Sequence, residues 1–193
     1  HEVAPELVRR YPDRVLLLAT DRCSVYSRFC TRSRMVGAGG GARPEDRLAP
    51  ALEGIGAHPE IRDVIVSGGD PLVMATERLA RLLGRVRAIP HVDTIRLATR
   101  APVTLPQRVT AELVRALRPH HPVWVMTHFN HPKELSDASR RAICPLAFLE
   151  SAPLSPPLPP LYVVVGQDDE RVRPTDVADF VADLREMCVT PHI

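Results

Sequence analysis

The chain has 193 residues, 45% of them hydrophobic and 25% charged, with a net charge of +2. That length supports one domain with a real core, and so weak a charge excludes a dominant pull toward nucleic acid. No apolar run approaches the ~20 residues of a membrane span, and no signal peptide is visible.

Four cysteines without a secretory signal point to a reducing, cytoplasmic setting, where thiols serve metals or chemistry more often than disulfides. The first residue is His1, which reads as the start of a fragment. Residues 1–14 form a polar lead-in ending Arg9-Arg10-Tyr11-Pro12-Asp13-Arg14, and residues 15–193 are expected to form one core domain. Residues 15–19 are an apolar run that reads as a buried strand. The loop after it, Thr20 to Arg32, holds Cys23 and Cys30 with basic and aromatic residues between them. The glycine-rich piece at 37–41 lacks a closing Gly-Lys-Ser/Thr, so it reads as a connector rather than a phosphate loop.

Residues 45–57 put Leu48, Leu52 and Ile55 at helical spacing, weakened by Pro50, Gly54 and Gly56. Residues 64–66 read as a second strand, ending at Ser67-Gly68-Gly69-Asp70. Thr76 is a candidate cap for an amphipathic helix with Leu79, Leu82, Leu83, Val86 and Ile89 on one side. Residues 94–98 form a third strand, ending at Thr99-Arg100. Thr110 is a candidate cap for a short helix bearing Leu113, Val114 and Leu117. Residues 123–126 form a fourth strand, ending at Thr127-His128. Six of the seventeen residues at 144–160 are proline, which argues against any helix or central strand there. Beyond it, 161–165 reads as a strand, 176–187 as a helix and 188–193 as the start of a strand.

A β-α-β-α rhythm of this kind predicts an α/β fold of parallel strands joined by right-handed crossovers, a partial barrel. In a parallel barrel the loops after the strands meet at one mouth. Cys23/Cys30, Gly68-Gly69-Asp70, Thr99-Arg100 and His128 are therefore expected together. The plain alternative is that loops are polar anyway, with Asp70 and His128 as caps or surface groups.

The cysteine spacing is C-x3-S-x2-C. With cysteine at position 27 it becomes C-x3-C-x2-C, a three-thiolate pattern for a four-iron cluster. A zinc site with histidines is the competing reading, although C-x6-C is not a usual zinc knuckle. His120, His121 and His131 read as solvated or hydrogen-bonded groups rather than ligands.

Arg10-Tyr11-Pro12-Asp13-Arg14, the loop 20–32, Ser67-Gly68-Gly69-Asp70, Leu105-Pro106-Gln107-Arg108 and Thr127-His128-Phe129-Asn130-His131-Pro132 together resemble the lysine 2,3-aminomutase family of radical S-adenosylmethionine (SAM) enzymes. The likeness runs over about residues 5–143. It implies a partial radical-SAM barrel, a [4Fe-4S] cluster, SAM and pyridoxal 5′-phosphate (PLP). It also implies that a 5′-deoxyadenosyl radical drives migration of an amino group from C2 to C3 of an amino acid, with lysine the leading substrate.

By that resemblance Cys23 and Cys30 match cluster ligands, and Ser27 stands at the third ligand position. Phe29, Gly68, Gly69, Asp70, Arg100 and His128 match the SAM site. Arg10, Tyr11 and Arg14 match PLP contacts, and Arg32 matches a residue near the substrate carboxylate. The chain departs from the family at Ser27 and at 144–160, where a Gly-Asn-Gln segment is absent. Because residues 184–192 resume the pattern, two compensating frame changes in the encoding DNA are one account of that stretch. The family's PLP-binding lysine and its acidic substrate-binding residues lie past the last residue. The other functional reading is a degenerate, non-catalytic barrel that binds SAM or a partner. No nucleic-acid or membrane partner is expected, and an unfinished sheet edge calls for cover by self-association.

Overall fold

The computed structural model describes residues 2–37 and 44–147, with isolated helical positions at 179 and 182. Six strands form one sheet in sequence order: β1 (Glu2–Ala4), β2 (Leu7–Arg9), β3 (Arg14–Thr20), β4 (Asp63–Gly68), β5 (Thr94–Ala98) and β6 (Val123–Met126). β3 to β6 pair in parallel, with Arg14 opposite Asp63, Asp63 opposite Thr94 and Arg96 opposite Trp124. The crossovers carry α1 (Glu45–Gly56), α2 (Thr76–Arg87), α3 (Ala101–Thr104) and α4 (Ala111–Leu117); α5 (Asp137–Ala147) follows β6.

Period-two alternation divides the sheet into two faces. Val15, Leu17, Val64, Val66, Ile95 and Leu97 are at most 1% exposed and pack on Leu48, Ile55, Leu79, Leu83 and Leu113 of the helices. The inner face, turned away from the helices, carries Arg14, Leu16, Asp63, Ile65, Ser67, Thr94, Arg96, Ala98, Trp124 and Met126. Most of these are only half-buried, because the sheet does not close over them.

Several expectations are corrected. The lead-in carries two strands not expected from sequence: β1 and β2 form an antiparallel hairpin on β3, with Leu7 fully buried. Helix α1 forms despite Pro50, because Leu48, Ala51, Leu52 and Ile55 are buried along one side. Gly54 is where the hairpin seats, since a Cβ there would lie 3.3 Å from Leu7 Cδ2. Thr76 does not cap α2; it is the first helical residue, and its hydroxyl accepts from Arg108 at 3.1 Å instead.

Thr110 does cap α4, accepting from the Leu113 N–H at 3.2 Å. The proline-rich boundary starts later than the composition suggested. α5 carries through Cys144 and Pro145 to Ala147, supported by burial of Ala142, Ile143 and Leu146. The proline stretch at 148–160 and the strands at 161–165 and 188–193 lie outside the described residues. Within the 176–187 helix, the two described positions are helical.

Candidate active site

The four strand ends are laced together by a short chain of hydrogen bonds. The Gly69 N–H donates to Thr20 O at 2.5 Å and the Asp70 N–H to Arg22 O at 2.7 Å, which ties the end of β4 to the root of the cysteine loop. Only glycine fits this crossing. Gly68 has φ +107°, and a Cβ on it would run into the Thr20 carbonyl oxygen; one on Gly69 would meet the backbone of Arg22.

The Asp70 carboxylate carries the lacing onward. It accepts from the Leu72 N–H at 3.0 Å, the Thr99 hydroxyl at 2.5 Å and the Arg100 N–H at 2.8 Å. The Thr99 N–H donates to Met126 O at 2.9 Å, reaching the end of β6. Arg100 then grips Glu134 through Nη2, at 2.8 Å to each carboxylate oxygen. With its amide oriented to suit, Asn130 accepts from Arg100 Nη1 at 2.9 Å.

These links surround a pocket of about 850 Å³, near the top of the ~300–1,000 Å³ usual for ligand sites. Cys23, Ser27, Phe29, Cys30 and Arg32 line it from the first loop, and Gly69, Asp70, Arg100 and His128 from the next three. Gly68 shapes the turn without lining the pocket. Arg32 crosses to the inner face of β4, donating to Ser67 Oγ at 2.8 Å. Arg10, Tyr11 and Arg14 are elsewhere. Arg14 opens β3, six residues or roughly 20 Å of strand before Thr20. Tyr11 is 52% exposed, with the Arg14 guanidinium 5.8 Å from its ring centre.

Burial pushes the Cys23 thiol above its ordinary range, and the Asp70 charge and Cys30 add to this while Arg32 opposes it. Cys23 is thus held as a neutral thiol, and a metal must displace its proton. Burial and the Arg100 cation push His128 down, against an opposing pull from Glu134. The imidazole is neutral near pH 7 and serves as a hydrogen-bonding ring.

Three pocket residues, Thr127, Arg96 and Trp124, were not singled out from sequence as site residues. Among the described residues, Thr127 Oγ1 and Arg100 Nε are buried without a hydrogen-bond partner, an unusual state for native polar atoms and one that a polar ligand would relieve. Arg96 and Trp124 extend the pocket down the inner face, well below the loops.

The donors fit the implied groups unequally. The two orphaned atoms and the neutral imidazole suit a polar nucleoside-bearing ligand such as SAM. The cysteine loop suits a four-iron cluster poorly. It offers two thiols and a hydroxyl, and a serine oxygen is a harder donor than the thiolates that iron–sulfur centres select. Among the described residues no three His, Cys, Asp or Glu side chains gather as a metal site. That holds for the zinc reading as well.

An open, mostly parallel α/β sheet, compatible with a partial barrel, has its polar groups laced across the C-terminal ends of β3 to β6, the edge at which parallel barrels carry their sites. No protein-family model matches the chain. It is 50% identical over 138 residues to L-lysine 2,3-aminomutase of Fusobacterium nucleatum, covering 72% of this chain and 32% of that protein. It is 49% identical over 150 residues to the enzyme of the same name from Clostridium subterminale, covering 78% and 36%. To glutamate 2,3-aminomutase of Clostridioides difficile it is 41% identical over 141 residues, covering 73% and 33%. The chain belongs to the lysine 2,3-aminomutase family. It spans about a third of the length of these relatives. No described helix is long and apolar enough to cross a membrane.

Proposed function

We propose that this chain carries the cysteine-loop and SAM-binding part of a radical-SAM amino-acid 2,3-aminomutase, with lysine as the leading substrate. The observation that carries the reading is the hydrogen-bonded lacing of four strand ends around one pocket, which gathers Cys23, Cys30, Asp70, Arg100 and His128. In this reading Cys23 and Cys30, with Ser27 beside them, would hold a four-iron cluster that would supply an electron to SAM, and the remaining pocket residues would seat SAM. Asp70 fixes the turn against which SAM lies. Arg100 and Thr127 offer buried hydrogen-bonding atoms, and His128 contributes a neutral ring. Phe29, 65% exposed at the pocket wall, offers a flat apolar surface to the adenine.

Ser27 is the weak point of the donor set. The test is anaerobic reconstitution with iron and sulfide, read by iron counting, absorbance near about 400 nm and 5′-deoxyadenosine release from SAM. The native chain is expected to retain little iron, and Ser27→Cys to retain close to a full cluster and to cleave SAM. If neither protein holds iron while both stay folded, the reading fails.

A further inference from the structure

Among the described residues, the pocket wall carries three guanidiniums, Arg32, Arg96 and Arg100, against one carboxylate, Asp70. A wall of that composition repels a cation unless carboxylates behind it restore the balance. Asp63, 6% exposed, does this for Arg96: it accepts from Arg96 Nε at 2.9 Å and from Arg14 Nε at 2.6 Å. Glu134 does it for Arg100, although Glu134 does not itself line the pocket.

Glu134 closes the short 3-10 turn Pro132–Glu134. Its N–H donates to His131 O at 2.9 Å, and its carbonyl oxygen accepts from the hydroxyl of Ser139, fully buried in the first turn of α5, at 2.7 Å. The carboxylate is fastened as firmly as the backbone. Both of its oxygens take Arg100 Nη2 at 2.8 Å, and Oε2 also takes the Asn130 N–H at 2.8 Å. Asn130 answers through its side-chain oxygen, which accepts from Arg100 Nη1 at 2.9 Å.

The two terminal nitrogens of Arg100 are thus engaged by residues that do not line the pocket. Its Nε is buried and has no partner among the described residues. Arg100 therefore meets the pocket as a hydrogen-bond donor whose charge is already matched from behind.

We propose that Glu134 is a specificity-determining residue acting through Arg100: it cancels the guanidinium charge while leaving Nε free to donate, so that the pocket admits a nucleoside carrying a sulfonium cation. This rests on the SAM reading of the same pocket and adds to it a residue that touches no ligand. SAM bears a sulfonium, whereas S-adenosylhomocysteine has the same nucleoside and amino-acid groups around a neutral thioether. The ratio of their Kd values, compared between variants, isolates the charge at sulfur, because the methyl group is common to every comparison. Taken as a sphere, about 850 Å³ is roughly 12 Å across, and one unit charge at that range shifts affinity for a cation by roughly 10-fold at an effective dielectric of about 20.

The full chain, without iron, is titrated with SAM and with S-adenosylhomocysteine. Binding is followed by the fluorescence of Trp124, the one tryptophan, which lines the pocket. In Glu134→Gln the SAM to S-adenosylhomocysteine Kd ratio should rise by roughly 5-fold to 10-fold, since the lost charge stands one hydrogen bond behind Arg100. In Arg100→Gln the ratio should fall by roughly 10-fold, because Glu134 is then an unmatched carboxylate. Glu134→Asp keeps the charge and should keep the ratio within about 2-fold of native. Arg62→Gln, which breaks an exposed ion pair with Asp93 outside the pocket, serves as the control.

A Glu134 that merely held the fold would weaken both nucleosides alike and leave the ratio in place. Should Glu134→Gln fail to fold by circular dichroism, the opposite shift in Arg100→Gln and the retained ratio in Glu134→Asp carry the test. A ratio within about 2-fold of native in every folded variant overturns the proposal and leaves the SAM reading standing. A native chain that binds neither nucleoside overturns both. Since no arm uses iron, either failure is separable from failure of the cluster test.

Discussion

Gly69→Ala tests the lacing at its tightest point. The added methyl would stand 2.6 Å from the Arg22 carbonyl carbon and 2.8 Å from its nitrogen, and it would also press on the Arg22 oxygen. Carbon atoms at rest sit roughly 3.5–4.0 Å apart, so the end of β4 and the root of the cysteine loop must part by about 1 Å. The two hydrogen bonds joining them, at 2.5 and 2.7 Å, do not survive that movement.

Each buried donor left unpaired costs about 1–3 kcal/mol, so the substitution should destabilise the chain by roughly 2–6 kcal/mol. Urea denaturation followed by circular dichroism measures this directly. The same displacement frees Cys23, so a thiol reagent should label it faster in the variant under native conditions. A variant within about 0.5 kcal/mol of the native chain, the range of an ordinary surface change, with an unchanged labelling rate, would refute the argument.

Asp70→Asn keeps the shape but turns an amide nitrogen toward donors; a loss of about 2–4 kcal/mol in urea melts is expected, with weaker SAM binding by calorimetry. Arg87→Ala removes donors to His120 O, Pro122 O and Asp93 O at 2.7 to 3.2 Å and should cost about 2–4 kcal/mol, read as a lowered denaturation midpoint. Thr110→Ala deletes the α4 cap and should cost about 1 kcal/mol by the same assay. Burial and the nearby Arg87 cation hold His120 below its ordinary value. Above about pH 6.5 the ring is neutral in both folded and unfolded chains; below it the unfolded chain takes the proton first, so stability falls with pH. Stability curves from pH 7.5 to 5 should therefore slope less for His120→Gln than for the native chain.

Much of this fold was legible because β3 to β6 stand where short apolar runs occur, each with one face packed against the helices. The gathering of Asp70, Arg100 and His128 at one pocket was legible for a related reason: each stands just past a strand, and parallel topology brings such positions to one end of the sheet. The hairpin was missed because Leu7 and Val8 make too short a run to show a period among charged neighbours. Helix α1 was undervalued because propensity counts Pro50 and Gly54 as breakers, whereas Leu7 needs the space that Gly54 leaves. The Arg14–Asp63–Arg96 cluster was invisible for another reason. Its members lie 49 and 33 residues apart, and nothing in a linear pattern says that three charged residues within apolar strands face the same side.

The hairpin also gives the sheet a direction. On the β1 side the border is a three-residue strand with an irregular register, a blunt end that offers little for another chain to pair with. On the β6 side the border is a regular parallel strand next to Trp124 and Met126. Among the described residues, a strand that lengthened this wall at β6 would lie beside Trp124 and next but one to Arg96, both of which line the pocket.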